Sequence, residues 1–259
     1  MSLGGKTILI TGAARRIGRH LALAAAHAGA NVVLHHSHSP KAALETVQEI
    51  EQLGRKAWIL EADFVYPEEA EKLVQRAAAL TNLYAIVHNA AIFEPLGMLD
   101  TSLDDWQRHM NINLTAPFLL SREFAKVIRQ SIVKAEVPQP LPGEQPMGRV
   151  WGRMVTILDW RALRPQEDHF PYTISKAALA ALTQSMAVAC APHITVNGLA
   201  LGAILPPSDG ADAAGMIKAT PAGRWAEMDE VGQALLFLLD GPEYITGEIL
   251  HLDGGRHLI

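Results

Sequence analysis

Among the residues whose types and spacing could do chemistry, Tyr172 and Lys176 come first, four apart in Tyr-Thr-Ile-Ser-Lys at the start of a helical pattern. That spacing stacks both side chains on one helix face, one turn apart. An ammonium beside a phenol favours the phenolate, so the pair predicts a tyrosine pKa pulled down from about 10, able to exchange a proton near neutrality. A second constellation opens the chain. Thr7-Ile-Leu-Ile-Thr-Gly-Ala-Ala-Arg-Arg-Ile-Gly-Arg19 reads as a strand, a tight turn and a helix start. Gly12 allows the turn, Gly18 lets the helix approach the strand, and the N–H groups around Arg16, Ile17 and Gly18 can hold a pyrophosphate. The spacing departs from GxGxxG, with Arg16 where a middle glycine is often found.

The end of the second strand decides which dinucleotide this turn would serve. A site for an unphosphorylated ribose needs an Asp or Glu about 20 residues on. Here Val32-Val33-Leu34-His35 runs into His36, Ser37, His38 and Ser39, with no acid nearby in sequence and with Arg15 and Arg16 on the adjoining loop. Imidazole, hydroxyl and guanidinium suit a 2′-phosphate, and NADP(H) is the expected cofactor. A metal held by His35, His36 and His38 is the rival reading. It is set aside because no Cys or acidic ligand stands beside them in the chain.

The elements that must position these groups alternate β-rich runs with longer helical patterns, which is how a parallel sheet with helices on both faces is written. Strands are expected at 7–10, 31–35, 57–60, 85–88, 154–158, 195–197 and 248–252, and helices at 17–28, 41–53, 67–80, 103–132, 172–189 and 228–239. Pro40 and Pro67 fall where a first helical turn tolerates proline. Two stretches break the rhythm: a Pro/Gly-rich insertion at 137–152 and an irregular stretch at 203–224, placed where a substrate lid would lie. The 259 residues fit one domain spanning 1–259. A net charge of −5 argues against a broad nucleic-acid footprint. No apolar run approaches the ~20 residues of a membrane helix, and no signal peptide is read, so the cytoplasm is the expected address. The single cysteine, Cys190, excludes an internal disulfide.

Together these features resemble the short-chain dehydrogenase/reductase family over essentially the whole chain. His88-Asn89-Ala90-Ala91 looks like that family's turn after the fourth strand, which supports the sheet beside the cofactor. Asn113 matches its helix asparagine, which holds a water linked to the lysine. Asp63, in Ala62-Asp63-Phe64, matches the acid that contacts the adenine. The run from Val196 to Ile204, with Gly202, resembles the loop over the nicotinamide, with Leu201 where proline is usual; Asp253-Gly254-Gly255 matches the C-terminal turn. The resemblance implies an α/β, Rossmann-type doubly wound domain with a seven-stranded, mostly parallel sheet, and a homotetramer.

One departure from the family is informative. A serine normally stands 13 residues before the tyrosine, and here that position is Asp159. An ionised carboxylate would repel the oxyanion of a carbonyl being reduced. It would suit a group gaining a proton, such as C=N becoming C–N–H. Asp159 together with Arg16 resembles the pteridine reductases within the family, including dihydromonapterin and dihydrofolate reductases of short-chain type. Phe93 matches the aromatic residue that sandwiches a pterin there, although an aromatic after a strand could equally be packing. Asp159 could also cap a helix or pair with Arg161 or Arg164. The expected function is NADPH-dependent reduction of a pterin or dihydrofolate. The alternatives are carbonyl or alcohol oxidoreduction of an oxoacyl, sugar or ketone substrate, and an NADPH-binding sensor without turnover.

Overall fold

The strands form where Val, Ile and Leu run together without helical spacing, and the computed structural model, which describes residues 3–135, 150–205 and 213–259, joins them in one sheet. Strands β1 (Thr7–Ile10), β2 (Asn31–His36), β3 (Ala57–Glu61), β4 (Leu83–His88), β5 (Gly152–Asp159), β6 (Ile194–Leu201) and β7 (Ile249–Leu252) lie in the order β3-β2-β1-β4-β5-β6-β7, and every pairing is parallel. Helices α1 (Arg16–His27), α2 (Pro40–Gln52), α3 (Pro67–Leu80), α4 (Leu103–Met110), α5 (Ala116–Lys134), α6 (Phe170–Cys190), α7 (Ala213–Lys218) and α8 (Met228–Asp240) connect them. Pro40 and Pro67 each open their helix, where a missing N–H costs nothing.

Alternation along the strands feeds two separate cores. Ile8 and Ile10 of β1 face one side, in a cluster with Leu21 and Ala25 of α1, Val47 and Ile50 of α2, and Leu235 and Leu239 of α8. Leu9 faces the other, with Leu73 of α3, Leu120 and Phe124 of α5, and Met186 of α6. The chain winds outward from β1 to β3 and then returns to set β4 on the opposite side of β1. The crevice beyond the carboxyl ends of β1 and β4 is therefore the topological switch point, where open α/β sheets take their ligands.

Three expectations are corrected. The helix read over 103–132 is two helices separated by a π turn, Asn111–Thr115. The apolar spacing continues across the turn, and Pro117 just beyond it has no N–H to return to the carbonyl four residues back. The strand read at 195–197 extends over Ile194–Leu201, all of it buried, so much of the expected nicotinamide loop is strand. Gly198 disguised it, yet it lies inside the strand, where a Cβ would stand 2.7 Å from Leu158 Cδ1 and that side chain would have to shift. The stretch at 203–224 carries a short helix, α7, rather than being wholly irregular. Residues 206–212 of that stretch, which the sequence marked as a substrate lid, and 137–149 of the Pro/Gly-rich insertion lie outside the described residues. Among the described residues no helix is long and apolar enough to cross a membrane.

Candidate active site

The turn after β1 is built to leave N–H groups bare. Gly12 has φ +64° and Arg16 has φ +52°, left-handed values that a non-glycine residue adopts at a cost of roughly 1–2 kcal/mol. A Cβ on Gly18 would sit 2.1 Å from the Gly12 carbonyl oxygen, so only glycine lets α1 begin this close. Asn89 braces the turn from β4, its Nδ2 donating to the carbonyls of Thr11 (2.9 Å) and Gly12 (3.1 Å). His35 braces it from β2. It accepts from Gly12 N–H at Nδ1 (3.1 Å), and Nε2, 3.0 Å from the Ala62 carbonyl, must carry the proton. Burial holds His35 neutral, its pKa down to about 4, and its ring stacks on Phe64 at 4.3 Å.

These elements enclose a cleft of about 420 Å³. Arg15, Arg16, Ile17 and Gly18 line it from the first turn, and His36, Ser37 and Ser39 from the end of β2. Asp63 and Phe64 follow β3, while Asn89, Ala90, Ala91 and Phe93 close the side beyond β4. The fit to a dinucleotide phosphate can be tested on the helix ends. Neither α1 nor α2 has an acid in its first turn or a side chain bonded to its first N–H groups, so both N-termini keep donors for an anion. The residues present fit NADP(H).

His38 is not among the described residues lining the cleft; its ring turns outward, with Nε2 3.6 Å from Asp63 Oδ2. Gly202 and Ile204 are likewise absent from that lining. Gly202 N–H donates to the Leu252 carbonyl (3.0 Å), and Ile204 is buried against the core. The three histidines of the β2 run address three different partners. An acid does lie near His38 in space, which the sequence did not show, but His35 has both nitrogens engaged in the interior.

Beyond Phe93 lies a buried group of titratable side chains. Tyr172 Oη donates to Asp159 Oδ2 (3.0 Å), and Arg161 N–H donates to Oδ1 (2.8 Å). The helix-cap reading of Asp159 is thus realised on Oδ1, while Oδ2 is occupied by the Tyr172 hydroxyl. Lys176 Nζ donates to the Ile157 carbonyl (2.7 Å). Asn113, buried in the π turn, donates from Nδ2 to Ser175 Oγ (3.0 Å) and the Ile92 carbonyl (3.1 Å) and accepts from Ile92 N–H (2.9 Å). Ser175 in turn donates to the Tyr172 carbonyl (2.7 Å), tying the π turn to the first turn of α6. Both amide hydrogens of the asparagine side chain are therefore engaged within the protein.

The expected lowering of the tyrosine pKa is reversed. Burial and the adjacent Asp159 carboxylate raise Tyr172 well above 10, so this tyrosine rests as a phenol. Burial also raises the Asp159 carboxyl and lowers the Lys176 ammonium to about 8. The physical reason is distance and burial: Lys176 Nζ lies 5.8 Å from the Tyr172 ring centre, whereas the aspartate touches the hydroxyl.

Phe93 meets the Tyr172 ring edge-on, with centroids 4.6 Å apart, and so links the cleft to this buried group. One of its faces is stacked on His169 at 3.8 Å and 10°. His169 received no role in the sequence reading. It precedes α6 in a left-handed conformation, φ +51°, and with Arg161 it pairs with Asp168 (3.1 and 2.8 Å). Its position three residues before Tyr172 was the available signal.

Comparison with known proteins follows the geometry. A profile of the short chain dehydrogenase family matches residues 6–215. The L-rhamnose 1-dehydrogenase (NAD(P)(+)) of a Sphingomonas species is 31% identical, over 99% of this chain and 98% of that protein. A 3-oxoacyl-[acyl-carrier-protein] reductase of a Synechocystis species is 27% identical over 98% of each. Among solved structures, the FolM alternative dihydrofolate reductase 1 of Brucella canis, complexed with NADP, superposes with a TM-score of 0.84 at 29% identity, covering 100% of this chain and 97% of that one.

Proposed function

The chain belongs to the short-chain dehydrogenase family, and from that premise we propose that this NAD(P)-dependent oxidoreductase is an NADPH-dependent reductase of a C=N bond in a pterin or dihydrofolate-type substrate. The observation that carries the proposal is the hydrogen bond from Tyr172 Oη to Asp159 Oδ2. NADPH, held in the cleft, would supply the hydride. The protein's task is the proton. Tyr172, kept as a phenol by burial and by Asp159, is in the donor state a reduction requires. The Asp159 carboxylate takes up the charge of a protonating nitrogen, where it would oppose a carbonyl oxygen turning into an oxyanion. Lys176 holds a positive charge in the relay behind the tyrosine. Asn113 serves through its main chain, since its side chain is spent on Ile92 and Ser175 and Pro117 returns no N–H to its carbonyl. Phe93 offers a flat apolar surface, half exposed, beside both cleft and phenol. Arg15, Arg16 and the β2–α2 turn hold the phosphates, and family kinship adds a homotetramer.

Two observations favour carbonyl reduction instead: His169 already covers one face of Phe93, and the relatives above are named for sugar and oxoacyl chemistry. Asp159→Ser separates the two. On the pterin reading it lowers dihydropterin turnover at least roughly a hundredfold, the scale of one general acid–base partner, and leaves NADPH affinity by fluorescence titration within about twofold. Equal dihydropterin rates in wild type and variant would remove Asp159 from the chemistry.

A further inference from the structure

Phe93 stands in a stretch between β4 and α4 without regular secondary structure, so its ring is placed by its neighbours. The backbone on either side is tied down. Ile92 exchanges two hydrogen bonds with the Asn113 side chain, and Phe170 N–H donates to the Leu96 carbonyl (2.7 Å). The ring itself meets Tyr172 edge-on and His169 face to face. His169 is held in turn, with Nδ1 3.1 Å from Asp168 Oδ2, the oxygen that also accepts from Arg161 Nη2 (2.8 Å). Arg161 N–H donates to Asp159, which accepts from Tyr172. The contacts close a circuit, Asp159–Arg161–Asp168–His169–Phe93–Tyr172, that ties the aromatic surface of the cleft to the phenol. Two features single out His169 within it. It is the residue before α6, yet its side chain bonds to none of the helix's first N–H groups, so the imidazole is not there as a cap. Its backbone is left-handed, φ +51°, a conformation that glycine adopts freely and a residue with a Cβ does not. A ring kept at that position, its side chain only 15% exposed, is turned onto the Phe93 face.

We propose that His169 is a positioning residue for the substrate, acting through Phe93: by stacking on one face of that ring it fixes the ring's plane, so that the surface Phe93 leaves open takes a flat heteroaromatic ring beside the Tyr172 hydroxyl. Phe93 lines the cleft and remains half exposed, so one covered face still leaves a platform. Stacking on such a surface favours a planar π system and gives little to an acyclic ketone. The covered face, which alone would speak against a pterin, becomes the support of the surface that receives it. His169 touches neither the proton nor the hydride; its effect is on how well the ring is held. The inference rests on the pterin reading of the site and names a residue that gives the site that preference.

The test is steady-state kinetics of the full chain with NADPH and a dihydropterin in His169→Gly, His169→Gln, His169→Tyr, Phe93→Leu and the Phe93→Leu/His169→Gly double variant. His169→Gly removes the ring and relieves the left-handed backbone, so its thermal unfolding should be unchanged or later. His169→Gln keeps a polar partner for Asp168 without a ring. Both should raise the KM for the dihydropterin roughly threefold to tenfold, the scale of one aromatic pair, with kcat and NADPH affinity within about twofold of wild type. His169→Tyr restores a flat ring and should return the KM to within about twofold. In the Phe93→Leu background, His169→Gly should raise the KM no further, because the ring through which it acts is gone. A KM unchanged in both ringless variants overturns the proposal and leaves the pterin reading standing. So does a His169→Tyr variant no better than His169→Gln, or a full further rise in the double variant. A wild-type enzyme that reduces no pterin overturns the proposal together with that reading.

Discussion

The protons of the site are allotted by burial more than by charge pairing. Tyr172 and Asp159 share one hydrogen bond in a place that disfavours any net charge, and both carboxyl and phenol move upward in response. Lys176 moves the other way, to about 8. Below that value the ammonium persists and supports the relay, and above it the relay loses its charge. The value of kcat/KM for reduction, which reports groups of the free enzyme, should therefore decline above about pH 8. Lys176→Arg, a cation throughout the range, should be slower and lack that limb. A wild-type profile level to about pH 9.5 would show that the lysine charge is not needed. Tyr172, Lys176 and Asp159 were legible in the chain as types at fixed spacings. The direction of the tyrosine shift was not, because it depends on which neighbour touches the hydroxyl. Nor was the stacking of His169 on Phe93: its place three residues before Tyr172 could be read, but the left-handed turn that brings the rings together could not.

Elements place these groups through a few close approaches. Gly18 is the clearest, since a methyl there would meet the Gly12 carbonyl and Asn89 Nδ2 at 2.1 and 2.5 Å. Gly18→Ala should cost about 1–3 kcal/mol in urea unfolding, the range of an overpacked core, and weaken NADPH binding at least roughly tenfold by tilting α1 away from the turn. An alanine variant with wild-type stability and affinity would mean the turn adapts freely. Gly18 could be read from the sequence because it follows a strand in a recurrent pattern. The π turn at Asn111–Thr115 could not, since helical spacing persists through it and only hydrogen-bond register changes. That turn is what brings Asn113 against Ser175, beside Lys176. β6 was underestimated for a comparable reason: Gly198 looks like a break until Leu158 is seen filling the space beside it.

Taken as a whole, the molecule is a sheet with its chemistry at the switch point and its bracing at the opposite ends of the strands. Arg153, buried at the start of β5, donates to Tyr84 Oη (2.9 Å) and to the carbonyls of Leu238 (3.1 Å) and Gly241 (2.8 Å), pinning the end of α8 to β4 and β5. Arg153→Met keeps the volume but orphans those carbonyls. It should lose roughly 1–3 kcal/mol in chemical denaturation with little change in the KM for NADPH; no loss of stability would show that the carbonyls find other donors. The alternation of β-rich runs with helical patterns made the fold class readable, whereas the order of strands and these long-range staples became visible only in three dimensions. The central claim remains the pairing of this frame with a substrate that gains a proton on nitrogen. The direct measurement follows loss of reduced-cofactor absorbance when the protein and NADPH meet dihydropterins, dihydrofolate and a panel of ketones, sugars and oxoacyl thioesters. Oxidation of NADPH with a pterin or dihydrofolate, and none with the carbonyl panel, is the predicted result. Turnover of a carbonyl compound with the pterins silent would contradict the claim.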